Sequence, residues 1–157
     1  MQGLDVTIVD NTKGRYLYQA YQAQADIMAA LRDVAGIALQ GFGHLAECSQ
    51  SNLFVVSGGV VRTPPLESGL LAGITRQFVL ELCRDEGVVA EEVTLHDADL
   101  LEADEAFITS STREIVPVAR VDHTTIGGGK PGSLTKQLIA AFRAGVERLC
   151  SAPTLQS

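Results

Sequence analysis

The chain has 157 residues, of which 46% are apolar, 20% charged and 5% aromatic, with no Trp; this is the composition of one globular domain and excludes disordered, collagen-like and coiled-coil chains. Acidic residues outnumber basic ones by 19 to 12, a net charge of −7, which argues against a nucleic-acid-binding face, since such faces need clustered Lys and Arg. No apolar run approaches the roughly 20 residues of a bilayer span, so no membrane partner is expected.

Met1–Asp5 lacks the basic-then-apolar pattern of a signal segment. Cys48, Cys83 and Cys150 are odd in number, widely spaced and without a C-x-x-C pair. They predict free thiols rather than a disulfide framework or a zinc site, and they fit a reducing cytoplasm.

In chain order, Asp5–Val9 alternates like a strand, and the apolar positions Leu17, Ala20, Tyr21, Ile27, Met28 and Leu31 follow a helical period. Gly36–Leu39 predicts a short buried strand, and after the Gly41-Phe42-Gly43 turn His44–Glu47 is extended. Asn52–Val56 and Val60–Arg62 flank Ser57-Gly58-Gly59 and predict a hairpin. Pro64-Pro65 ends its second strand. A helix is expected from Gly73, with Ile74, Phe78 and Leu82 on its buried face, ending at Gly87. Val88–Leu95 is expected to be a strand, Asp97–Ala103 a short acidic helix, and Ala106–Thr109 and Val116–Val121 further strands. Gly127–Gly132 predicts a loop, and Ser133 caps a last helix that buries Leu134, Leu138, Phe142, Gly145 and Leu149. Alternating strands and helices with short connections give a mixed α/β class, a single unit over residues 1–157.

The sequence contains no G-x-G-x-x-G, G-x-S-x-G or H-E-x-x-H pattern. Gly127–Gly132 is not a phosphate loop, because Pro131, which has no N–H, follows Lys130 where a hydroxyl residue is needed. His44, His96 and His123 share no ligand spacing, so no metal is expected. Two segments could bind an anion. Gly73-Ile74-Thr75 opens a helix, where free N–H groups and the helix dipole favour negative charge. Thr109-Ser110-Ser111-Thr112 sets four hydroxyls at the end of an apolar strand. In isolation, a plain helix start and a polar strand terminus are the preferred readings of the two segments.

Taken together, the segments resemble a known family. Thr63-Pro64-Pro65-Leu66, Leu71-Ala72-Gly73-Ile74-Thr75-Arg76 and Val79-Leu80-Glu81-Leu82 are similar to stretches of class IV aminotransferases. These are the fold-type IV pyridoxal-phosphate (PLP) enzymes: branched-chain aminotransferases, D-amino-acid transaminases and aminodeoxychorismate lyases. Glu47 with Ser51-Asn52-Leu53-Phe54, then Ala103–Phe107, Arg113–Val118 and Gly127–Thr135, match in the same order, so the resemblance runs from about Asp5 to Leu149.

The resemblance implies the family's large C-terminal domain, a β pseudo-barrel with flanking helices, without the small N-terminal domain. Lys13 lies where the family has its Schiff-base lysine, although a lone Lys there would otherwise pass for a loop residue. Tyr18 resembles the phenol that bonds the cofactor's ring oxygen, and Glu47 the carboxylate facing its pyridine nitrogen. Leu71 resembles the side chain packed on the ring; Gly73, Ile74 and Thr75 match the phosphate site. Ser111 and Thr112 match a turn touching both phosphate and the substrate carboxylate, and Arg113 beside them suits a surface role as well. Two positions depart from the pattern: Leu17 precedes Tyr18 where Asn is usual, and Cys48 replaces a common Gly.

The activity implied is amino-group transfer between an amino acid, branched-chain first, and a 2-oxo acid, in a homodimer. A pyruvate-releasing aminodeoxychorismate lyase and a D-amino-acid transaminase are the enzymatic alternatives. A catalytically incompetent transaminase remnant is the non-enzymatic one.

Overall fold

A computed structural model describes residues 6–8, 37–40, 44–48 and 50–151. The predicted helix between Leu17 and Leu31 lies outside them, as do Lys13 and Tyr18.

Nine strands among the described residues form one sheet: β1 (Val6–Ile8), β2 (Ile37–Gln40), β3 (His44–Cys48), β4 (Ser51–Ser57), β5 (Val60–Thr63), β6 (Ala90–Glu92), β7 (Glu105–Ser110), β8 (Glu114–Val121) and β9 (Thr124–Thr125). The main path runs β1-β8-β7-β4-β3-β2 and is antiparallel throughout. β5 joins β4, β6 runs parallel to β5, and β9 pairs with β8. The helices are α1 (Ile74–Asp85), α2 (Asp97–Leu101) and α3 (Ser133–Ser151). The mixed α/β class is therefore the observed one. No helix among the described residues is long and apolar enough to cross a membrane.

β4 is the centre of the molecule. β7 lies along one edge, while β3 and β5 share the other, β3 against its start and β5 against its end. With both faces covered, the run Leu53-Phe54-Val55-Val56 is almost wholly buried. Alternate residues feed two cores, as the two-residue strand period requires. Leu53 and Val55 join Leu45, Leu95, Leu100 and Ile108 on one face. Phe54 and Val56 join Phe107, Val79, Leu82, Leu138 and Phe142 under α1 and α3 on the other. Phe54 and Phe107 face each other in the ladder, and their rings stack with centroids 4.9 Å apart.

Four sequence expectations change at this level. Ile74 was expected in the core, yet it is 84% exposed; α1 buries Thr75, Arg76, Val79, Leu82 and Cys83, and its first turn overhangs a cleft. Leu149 is also exposed: the fully buried positions of α3 are Thr135, Leu138, Phe142 and Gly145, with Leu134, Ile139 and Ala141 packed partly buried beside them. The strand expected over Val88–Leu95 contracts to β6, since Val93 donates to the Thr63 carbonyl and the Leu95 carbonyl accepts from Leu45 as the chain turns away. The cap of α3 comes from Glu105 rather than Ser133: its carboxylate accepts the N–H groups of Leu134 (3.1 Å) and Thr135 (2.7 Å).

Candidate active site

The antiparallel register sets the site. Glu47 near the end of β3 lies opposite Asn52 at the start of β4, and Asn52 in turn lies opposite Thr109 at the end of β7. Three neighbouring strands thus bring a carboxylate, an amide and a hydroxyl to one end of the sheet. The loop from Pro64 returns over that end, and Leu71, Gly73, Ile74 and Thr75 close a cleft of ≈ 210 Å³ with Glu47, Cys48, Asn52, Thr109, Ser110 and Ser111.

One end of the cleft carries negative charge. Glu47 is half-buried and accepts a hydrogen bond from Asn52 Nδ2 at 2.9 Å. The Cys48 thiol beside it is pushed up to about 11 by burial and by the Glu47 carboxylate, with Arg113 opposing. Cys48 is therefore a neutral, packed thiol. A side chain is tolerated where the family commonly has Gly because Cys48 continues the strand and packs into the core of β4 and β8.

The other end offers donors. α1 begins at Gly73, whose backbone is extended (φ −63°, ψ 133°) and which supplies no side-chain cap. The first-turn N–H groups of Ile74, Thr75 and Arg76 have no preceding helical carbonyl, and the dipole adds positive potential there. Thr75 is buried against the cleft, and Ser110 and Ser111 face the same space from the end of β7. The Ser110 hydroxyl accepts the Arg113 N–H at 3.2 Å and so holds the β7–β8 turn in shape. Thr109 Oγ1 is buried with no hydrogen-bond partner among the described residues.

The Arg76 side chain turns away from the cleft. The side chain is 3% exposed, and its guanidinium bonds Glu92 at 2.6 Å and donates to the Pro64 carbonyl at 2.9 Å. It ties the start of α1 to β6 and to the loop after β5.

Six predicted site residues therefore meet in one cleft: Glu47, Leu71, Gly73, Ile74, Thr75 and Ser111. Thr112 lies one residue further along the turn, exposed and outside the cleft lining. Asn52, like its neighbours Gln50 and Ser51, lines the cleft without a role assigned from the sequence. Its signal was a lone amide at the head of an apolar strand, five positions after an acidic residue. No group of three or more metal-ligating side chains occurs among the described residues. His44 and His96 pack edge to face, 4.7 Å between centroids, and bridge β3 to the start of α2.

The amino-transferase class IV family model matches residues 15–121, a stretch that begins just after Lys13. D-alanine aminotransferase of Bacillus licheniformis is 44% identical over 101 residues, covering 64% of this chain and 36% of that protein. The branched-chain-amino-acid aminotransferase of Escherichia coli is 40% identical over 107 residues, covering 68% and 35%. The solved branched-chain amino acid aminotransferase of Thermobaculum terrenum, in its PLP form, superposes with a TM-score of 0.66 at 37% identity, covering 69% of this chain and 36% of that one. The chain spans about a third of the length of these relatives. With the order of segments and the cleft at the shared end of β3, β4 and β7, these matches establish that the chain belongs to the class IV aminotransferase family.

Proposed function

We propose that the cleft holds pyridoxal phosphate and that the chain forms the cofactor-binding half of a transaminase acting on an amino acid and a 2-oxo acid. The observation that carries this reading is the polarity of the cleft. A carboxylate stands at one end, and a helix N-terminus with three hydroxyl residues stands at the other. A pyridine ring bearing a phosphate has the complementary layout, and the unpartnered Thr109 hydroxyl beside the donor end suits an anion that needs further donors.

Bound there, the cofactor supplies an electron sink for the substrate's Cα–H bond. Glu47 is assigned to hold a proton at the ring nitrogen. Ile74, Thr75 and Ser111 are assigned to the phosphate through first-turn N–H groups and hydroxyls, and Gly73 lets that phosphate approach the backbone. Leu71 packs on the ring and excludes water from it. Ser111 and Thr112 orient the substrate carboxylate. Lys13 holds the cofactor covalently and moves the Cα proton, with Tyr18 donating to the ring oxygen.

Branched-chain amino acids are the first substrate class, supported by the named Escherichia coli and Thermobaculum relatives. The Bacillus relative, named for D-alanine, supports a D-amino acid as the second reading. The proposal includes a homodimer, supported by the exposed Leu71 and Ile74 of the cleft lining and by the exposed Leu66 in the loop before them. It also includes a reducing compartment such as the cytoplasm, in keeping with free Cys48, Cys83 and Cys150.

Borohydride reduction of the chain with added pyridoxal phosphate, followed by peptide mapping, tests the reading. A single adduct on the Lys13 peptide, lost in Lys13→Ala, is the expected result. An adduct spread equally over Lys13, Lys130 and Lys136 overturns it. L-leucine and D-alanine, each offered with a 2-oxo acid, then separate the two substrate readings.

A further inference from the structure

One buried amide joins the two ends of the cleft. Asn52 is 6% exposed and heads β4. Its Nδ2 donates to Glu47 Oε2 at 2.9 Å and to the Leu71 carbonyl at 3.0 Å. Both partners are pure acceptors, so the orientation of the amide is fixed: the NH₂ must point at them and the oxygen away. That oxygen lies against Gly73, where any Cβ would overlap it. Gly73 is the residue that opens α1. The carboxylate at one end, the loop crossing the cleft and the helix start at the other therefore meet on a single side chain.

We propose that Asn52 is a positioning residue: it restrains the Glu47 carboxylate and fixes its distance from the N-terminus of α1, and so sets the span between the ring-facing and phosphate-facing ends of the cleft. The proposal rests on the reading of those two ends as cofactor anchors. Burial alone gives no reason for an amide here, since an apolar side chain would fill the same strand position at lower desolvation cost. The bond to Glu47 also does more than satisfy backbone, because it spends a buried donor on a group that faces the cleft.

The test compares the full chain with Asn52→Leu, which removes both donors, and with Asn52→Asp, which keeps size and shape but cannot donate when ionised. Spectroscopic titration gives the affinity for pyridoxal phosphate and for its analogue with CH in place of the ring nitrogen. Hydrogen exchange of the amides at 71–76 is followed in the unliganded chain. A charge-assisted hydrogen bond that loses its alignment is expected to reduce the preference for the nitrogen-bearing cofactor by about fivefold or more in either variant. Exchange at 71–76 is expected to quicken at the same time. An equal loss of affinity for both compounds, leaving the preference unchanged, overturns the proposal, because that is the effect of general loosening. Unchanged exchange at 71–76 also overturns it. If the unaltered chain binds neither compound, the cofactor reading fails on its own, and the exchange result still decides whether Asn52 clamps the loop.

Discussion

Cys48 and Cys150 carry the same thiol in opposite surroundings. Cys48 and Cys83 are buried and their thiols lie up at about 11, Cys48 through burial and the Glu47 carboxylate, Cys83 through burial. Cys150 is exposed on α3. Only the thiolate attacks an alkylating agent. Iodoacetamide at neutral pH is thus expected to label Cys150 within minutes and to spare the other two until the chain unfolds, as read by mass mapping. The same values fix a pH dependence. Both buried thiols keep their protons above the free-thiol value of 9.0. Between about pH 9 and 11 the folded chain therefore binds more protons than the unfolded one, and stability falls across that window while staying unaffected below it. Cys83→Ala should flatten the alkaline slope in urea melts; an identical slope would show that Cys83 does not contribute to it. Gly73 shows a different kind of residue-level demand. Its φ of −63° is open to any residue, so glycine is needed there because of the Asn52 oxygen and not because of the backbone. Gly73→Ala is expected to cost about 1–3 kcal/mol, the range for forcing atoms into filled space.

At the level of elements, the start of α3 shows what sequence patterns convey and what they omit. Periodicity placed the helix and its Leu138–Phe142 face, and both are found. The local rule that a Ser at a helix start supplies the cap pointed to Ser133, but the two first-turn N–H groups go to Glu105, which arrives from β7. Gly132 accommodates that carboxylate, since a Cβ there would strike its side chain. No local pattern encodes a cap delivered from another strand. Glu105→Gln keeps the shape and removes the charge, and is expected to destabilise by about 1–2 kcal/mol in urea unfolding, whereas Ser133→Ala should stay within about 0.5 kcal/mol. The reverse ranking would restore Ser133 as the cap. The β7–β8 hairpin holds a second such case. Glu114 sits at φ 59°, a left-handed conformation that a side chain resists. Its exposed contact with Arg143, at 3.5 Å, returns little. Glu114→Gly should therefore raise stability by up to about 1 kcal/mol, read in the same melts.

Across the whole molecule, the cleft is assembled from segments far apart in the chain: Glu47 and Asn52, Leu71 to Thr75, and Thr109 to Ser111. The residue types at Glu47, Leu71, Gly73, Ile74, Thr75 and Ser111 were legible because their order and context resemble a family. Their meeting point was not legible, because it depends on strand register: Glu47 opposite Asn52, and Asn52 opposite Thr109. The bond of Asn52 to Glu47 follows from that register and its bond to the Leu71 carbonyl from the returning loop, and neither leaves a trace in the linear pattern. Such an assembly couples ligand binding to global unfolding, since none of these segments holds the cleft alone. At a cofactor concentration a hundred times Kd, binding to the folded state adds about 2.7 kcal/mol. For a chain of this size that is a rise in Tm of about 5–10 °C. Pyridoxal, which lacks the phosphate, should give a clearly smaller rise at equal concentration, because the N-terminus of α1 then has no anion to hold. Thr75→Ala should narrow the gap between the two compounds by weakening only the phosphorylated one. Equal shifts for both compounds would detach the helix end from the phosphate and leave the Glu47 end as the site's remaining anchor.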